Sequence, residues 1–255
     1  MIGVIEFYIY LQELISMDME NNLKNEFEQL LKETSENSFQ DNGLQVLVSR
    51  FPGKVIFSTS FSYEDQVITH LVKDLDVDIF TLDTGRLFEQ TYETWTNTRA
   101  FFKKKIKAYY PDTEELINFV SENGPDSFYQ SVEQRKTCCT IRKVHPLKKA
   151  LKGYQVWVTG LRAEHSPNRQ NMPQLEWDPD NKIIKFHPIL HWTSEQVTEY
   201  VKSYHLPYNQ LHKKGFVSIG CAPCTRAIKE GEDFRAGRWW WEDANKKECG
   251  LHIHQ

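Results

Sequence analysis

The residues whose spacing carries the most chemistry are the five cysteines. Cys138 and Cys139 are adjacent, Cys221 and Cys224 form a C-x-x-C pair, and Cys249 stands alone near the end. A trans peptide holds neighbouring Cα atoms about 3.8 Å apart, short of the spacing that a disulfide bridges comfortably. Two pairs plus one single residue suggest four thiolate ligands and one reactive thiol. Four thiolates suit zinc or an iron–sulfur cluster. Adjacent cysteines sit awkwardly around one small tetrahedral ion and more easily at separate corners of a cubane, which favours the cluster while the spacing leaves zinc open. Cys249 lies in Glu248-Cys249-Gly250-Leu251-His252, just after Lys246-Lys247. Nearby cations favour the thiolate, and nucleophilic attack needs that help because an unperturbed cysteine titrates near ~8.5. A terminal cysteine with no role is the plain alternative.

A second group of residues suits an anion. Lys143 follows Cys139 by four positions, so one helical turn would join the thiol pair to a cation, and Arg235 and Arg238, three apart, would share a helix face. The alternative is a solvated basic face with Trp239, Trp240 and Trp241 packing on the body. Ser60 and Ser62, in Ser58-Thr59-Ser60-Phe61-Ser62, stand where a strand would give way to a helix, so hydroxyls and backbone N–H groups there can meet a phosphate or sulfate. Ordinary helix capping explains them equally. Leu82-Asp83-Thr84-Gly85 can hold a base through backbone groups while Asp83 fixes the turn. Arg162, beside Gly160, can meet a phosphate bidentately or make a surface salt bridge. No Walker A loop and no G-x-G-x-x-G fingerprint occurs.

The elements that must position these residues alternate. Val55–Ser58, Val77–Leu82, Ile106–Tyr110 and Tyr154–Thr159 read as strands. Glu64–Lys73, Phe88–Phe101, Thr113–Val120 with Asp112 as cap, and the basic run after Cys139 up to Gly153 read as helices. Thr193 and Gln196 make a capping box for a helix ending near Tyr204. Such alternation predicts an α/β fold: a mostly parallel sheet with helices on both faces, ligands binding at the carboxyl ends of the strands. The expected division is a helical segment over 1–40, a nucleotide-binding α/β domain over 41–230, and a C-terminal catalytic tail over 231–255 that moves to admit and cover substrate.

With 255 residues, 40% of them hydrophobic, the chain can bury a core without disulfide staples. A formal charge of −4 argues against a general nucleic-acid surface, so any anion must be met by local charge. The apolar stretch Ile2–Leu11 is too short to span a bilayer and has no basic residues ahead of it, which predicts a cytoplasmic protein with no membrane partner. Met17 and Met19 stand just before the polar helix-like run Glu20–Lys32 and offer alternative starts.

Together these residues resemble the assimilatory sulfonucleotide reductases, of the iron–sulfur type acting on adenosine 5′-phosphosulfate. The resemblance runs from about Gly53 to His252 and joins the Ser60/Ser62 loop, Leu82-Asp83-Thr84-Gly85, Cys138-Cys139 with Arg142-Lys143, and Gly160-Leu161-Arg162. It continues through Cys221-Ala222-Pro223-Cys224, Arg235-Ala236-Gly237-Arg238 and Glu248-Cys249-Gly250-Leu251-His252. It implies an adenine nucleotide α-hydrolase-like fold and a [4Fe-4S] cluster on Cys138, Cys139, Cys221 and Cys224. It implies that Cys249 attacks the sulfur, AMP leaves, and reduced thioredoxin releases sulfite from an S-sulfocysteine. Lys143, Arg235, Arg238 and His252 correspond to sulfate-binding positions; Ser60, Ser62, Leu82 and Gly160 correspond to the adenylate pocket, with Arg162 as a phosphate partner. A homo-oligomer is compatible with all of this. Competing readings are use of the 3′-phosphorylated nucleotide or of both substrates, an ATP-dependent adenylating or thiolating enzyme of the same fold, and a zinc-stabilised binding module.

Overall fold

The computed structural model describes residues 2–33, 36–166 and 169–242. Two helices come first, α1 (Ile2–Glu33) and α2 (Glu36–Arg50). The strands and helices that follow are β1 (Val55–Ser58), α3 (Tyr63–Leu71), β2 (Asp78–Leu82), α4 (Glu89–Phe102), β3 (Ile106–Tyr109), α5 (Thr113–Asn123), α6 (Val132–Cys139), α7 (His145–Leu151), β4 (Val156–Val158), β5 (Leu175–Asp178), β6 (Ile183–Phe186) and α8 (Ser194–Ser203). Among the described residues six strands form one sheet in the order β3-β2-β1-β4-β6-β5, parallel except for the antiparallel β5–β6 edge. The expected α/β architecture is therefore present.

Strand periodicity decides which side chains face which layer. Val55 and Phe57 of β1 enter a cluster with Leu23 of α1, Phe39, Leu44 and Leu47 of α2, Val67 and Ile68 of α3, and Val197 of α8. Ile56, between them, points to the other face and meets Leu147, Ala150 and Leu151 of α7. A third cluster, Phe119, Phe128, Ile141 and Trp239 with Cys138, Cys221 and Cys224, lies off the sheet.

Three features depart from the sequence expectation. The run expected over Glu20–Lys32 is part of a 32-residue helix beginning at Ile2, and α2 crosses the expected boundary at 40/41 to pack against the sheet. The β5–β6 hairpin was not anticipated. Its strands carry Glu176 and Lys185, whose alternation reads as polar, yet Lys185 is buried and paired with Glu176 at 2.9 Å; the Asp178 carboxylate accepts from the Asp180 and Asn181 backbones to make the turn. Residues 231–242, expected to belong to a separate tail, pack on the body: Trp239 is 1% exposed and Arg238 pairs with Thr225 in a β-bridge. None of the described helices is long and apolar enough to cross a membrane.

Candidate active site

After β1 the chain runs outward to β2 and β3, then returns to place β4 on the opposite side of β1. At such a reversal the loops leaving the two central strands part and open a crevice. A cavity of about 260 Å³ lies there, reached by the loops after β1, β2 and β4 and by residues 217–221 and 234–238. Ser60, Ser62, Leu82, Gly160, Lys143, Arg235 and Arg238 all line it.

At the β1 end, Phe61 adopts φ 63 and turns the chain into α3, whose N-cap is Ser62, accepting from the Asp65 backbone N–H at 3.3 Å. Ser60 donates both its N–H and its hydroxyl to Asp65 Oδ2, at 2.6 and 2.7 Å. Burial pushes the Asp65 carboxyl up to about 6 despite those bonds. Its neighbour moves the other way. Burial alone would raise Glu64, but the hydrogen bond and charge of His165 and the Arg162 guanidinium hold it at about 2. Gly160 is required by close approach: a Cβ there would stand 2.5 Å from Asp65 Oδ1. His165 in turn stacks on Phe234, ring centroids 4.4 Å apart and 13° from parallel, which ties this end to the Arg235 loop.

Arg162 does not take the place expected of it. Its buried guanidinium donates to Glu64 at 3.0 Å, to Glu164, to the Trp192 carbonyl at 2.9 Å and to Ser194 at 3.0 Å, so it buttresses the loops from behind. Arg169, which the sequence analysis passed over, is the buried arginine of this region that does line the cavity.

The β2 loop links the two ends. Asp83 Oδ1 accepts from Gly85 N–H and Tyr92 hydroxyl, both at 2.9 Å, as the expected loop-fixing residue would. Thr84 meets the Cys221 sulfur at 3.3 Å, and its carbonyl accepts from Arg142 at 2.6 Å.

Cys138 and Cys139 end α6, and the chain continues as a π-helical turn over Thr140–Val144 instead of the expected α-helix. That wider turn carries Arg142 and Lys143 and is of the kind common at functional sites. Cys221 and Cys224 bracket a tight turn closed by Cys224 N–H to Cys221 O at 3.0 Å. Cys138, Cys139, Cys221 and Cys224 form no disulfide with one another and line one small second cavity, with Arg86, Arg135, Arg142, Lys143 and Trp239 around them. Lys143 and Cys221 line both cavities. Burial and then the neighbouring Cys221 push the Cys224 thiol up to about 12, and burial raises Cys138 against the pull of Arg142. Among the described residues no three His, Cys, Asp or Glu side chains are grouped to hold a single metal ion. Arg238, 4.8 Å from the Trp239 ring, turns its guanidinium under Gly220, where a Cβ would stand 2.3 Å from Nη2. Cys249 and His252 lie outside the described residues.

Residues 54–227 match the phosphoadenosine phosphosulfate reductase domain family. The chain belongs to that family. Relatives named adenosine 5′-phosphosulfate reductase include one from Allochromatium vinosum, 46% identical over 207 residues covering 80% of this chain and 81% of that protein. Another, from Neisseria meningitidis, is 46% identical over 199 residues, covering 77% and 82%. The phosphoadenylyl-sulfate reductase of Candida auris superposes with a TM-score of 0.63 at 26% identity, over 79% of this chain and 96% of that one. An FMN adenylyltransferase of Candida glabrata shares the fold of this reductase-family chain, with a TM-score of 0.53 at 13% identity over 88% and 81% of the two chains.

Proposed function

We propose that this chain reduces adenosine 5′-phosphosulfate to sulfite and AMP through a covalent intermediate on Cys249. The observation that carries the reading is Lys143, whose position between the cavity at the strand ends and the cavity of the four cysteines ties one to the other. The names borne by relatives at 46% identity support the substrate.

The adenylate would rest at the end formed by Ser60, Ser62, Leu82 and Gly160, with the sulfate towards Lys143, Arg235 and Arg238. Thiolate and sulfate repel, and fixed cations around the sulfate oxygens lower that cost most where charge builds up in the transition state. Cys249 Sγ attacks the sulfur, the sulfur–oxygen bond to the phosphate breaks, and AMP leaves with that electron pair, His252 serving with the cations. A reduced thioredoxin thiolate then attacks Cys249 Sγ and expels sulfite, and its second thiol resolves the mixed disulfide, so thioredoxin supplies both electrons. Given the packing of residues 231–242, the catalytic tail is proposed to start after Glu242.

The second cavity fits an iron–sulfur group on the chemistry of its donors. Four thiols, each buried or half-buried, share one space, and cations surround them. Cys138, Cys139, Cys221 and Cys224 are the residues that would hold a [4Fe-4S] cluster, which when bound supplies an electrostatic centre beside Lys143. The setting we propose is assimilatory sulfate reduction in the cytoplasm.

Incubation of anaerobically purified protein with labelled substrate and no thiol tests the reading. A sulfonate adduct should map to Cys249, and Cys249→Ser should lose it while keeping iron and AMP binding; an adduct formed by the serine variant would refute the assignment. Iron and zinc content, with the visible spectrum, distinguishes a cluster from a structural zinc.

A further inference from the structure

Arg135 and Glu242 form an ion pair, and neither side chain lines the substrate cavity. Two near-parallel hydrogen bonds join them, Nε to Oε1 at 2.9 Å and Nη2 to Oε2 at 2.8 Å, and the two side chains are only 2% and 3% exposed. The guanidinium also lies 4.6 Å from the centre of the Trp239 ring. Removing both charges from water is costly, and a well-packed apolar pair commonly does as well or better for stability, so the best-attested use of such a pair is to set register. Its position gives that register a purpose. Arg135 is on α6, one helical turn before Cys138 and Cys139, and lines the cavity of the four cysteines. Glu242 ends the turn that begins at Trp239, whose N–H donates to the Cys224 carbonyl at 3.1 Å, and its own N–H bonds back to Trp239 O at 2.9 Å.

Cys249 stands seven positions after Glu242 in the sequence. An extended chain of that length spans at most about 25 Å, so whatever holds Glu242 sets the radius within which the sulfur can act. We infer that Arg135 and Glu242 are a positioning pair. They anchor the root of the C-terminal segment to the cysteine-bearing helix, so that Cys249 is delivered to a sulfate already held by Lys143, Arg235 and Arg238. This inference rests on the proposed role of Cys249 and adds to it the point from which the nucleophile is aimed. Both residues act through Cys249 and touch no substrate.

Glu242→Gln and Arg135→Lys, made in the full chain and purified anaerobically, test the pair. In Glu242→Gln, iron content, the AMP dissociation constant and KM should stay within twofold of the parent, while single-turnover formation of the Cys249 adduct slows at least tenfold. Hydrogen exchange over 236–242 should rise in the same variant. Arg135→Lys keeps the cation but not the fork, and should fall between the parent and Glu242→Gln. Adduct formation within twofold of the parent in Glu242→Gln would overturn the inference; so would a loss of iron or AMP binding in step with the rate, because the pair would then only hold the site together. Cys249→Ser separates the two readings. If that variant still releases sulfite, the role of Cys249 itself is wrong; if it is inert while Glu242→Gln is normal, only the anchoring fails.

Discussion

At the β1 end of the cavity the polar groups satisfy one another: Ser60 and Ser62 with Asp65, and Glu64 with His165 and Arg162. At the cysteine end, Arg142 Nε, Arg238 Nε and Trp239 Nε1 are buried with no acceptor among the described residues. Buried donors ordinarily have partners, and donors of this kind fit anionic oxygens or sulfurs. One end is thus shaped by the chain's own hydrogen bonds before anything binds, whereas the other gathers cations and donors around four thiols. Under the proposed function, the difference separates holding a nucleotide from activating its sulfate. Within the β1 end itself two adjacent carboxyls, Glu64 and Asp65, depart in opposite directions: one faces a histidine and a guanidinium, while burial and the Glu64 charge outweigh the hydroxyl and amide donors of the other.

The comparison breaks first at Lys143, which with Cys221 lines both cavities. Lys143→Ala should lower kcat by about 10²–10³-fold, the usual scale for one fixed electrostatic group, with AMP affinity near that of the parent. Sulfite release and calorimetric AMP titration check this; loss of AMP binding with little change in kcat would move Lys143 to the nucleotide end.

Glu64→Gln probes the self-satisfied end. The folded carboxyl sits at about 2 against an ordinary 4.5, so its contribution is present above pH 4.5 and is lost as pH falls from 4.5 towards 2. At about 1.4 kcal/mol per unit, the variant should be about 3 kcal/mol less stable at pH 7. Denaturant unfolding at pH 7 and pH 3 measures it, and the gap should narrow at the lower pH.

Asp65→Asn should act with the opposite sign. Here the folded carboxyl is at about 6 and the ordinary value is 3.8, so the native state holds its proton longer and stability falls as pH rises from 3.8 to 6. The amide removes that slope and keeps an oxygen for Ser60, leaving a gain of about 1–2 kcal/mol at pH 7 after allowing for a weaker acceptor. A parent whose stability is flat from pH 4 to 6 would contradict the environment described for Asp65.

The smallest effect on stability is expected at Gly220. A methyl there meets the movable end of Arg238, 2.3 Å away, so the guanidinium should swing aside for less than about 1 kcal/mol. The kcat should nevertheless fall about fivefold with KM little changed, as loss of a contact made mainly in the transition state does. Thermal melts alongside initial rates would show both.

Much of this arrangement was legible from residue types alone. The four cysteines meet in one cavity, Lys143 stands beside them, Asp83 ties the β2 loop, and Thr193 with Gln196 forms the expected capping box. These are local signals, or pairs whose chemistry makes sense only together. The sequence leaves Arg162 open between a phosphate and a salt bridge, because an arginine beside a glycine at a strand end looks the same whether it faces a ligand or a glutamate 98 positions away. Asp65 was passed over for a similar reason: its importance comes from burial, which spacing does not disclose.

What the sequence by itself determined is the set of reactive groups and the alternation of strands and helices, because thiols, cations, caps and hydrophobic periodicity are properties of neighbours along the chain. Only the tertiary structure decided which face each group turns to, that β4 returns beside β1 to open the crevice, and that Arg135 meets Glu242 across 107 residues. Burial and long-range pairing set those outcomes, since the dielectric around a charge and the partner available to it depend on segments that meet only when the chain has folded.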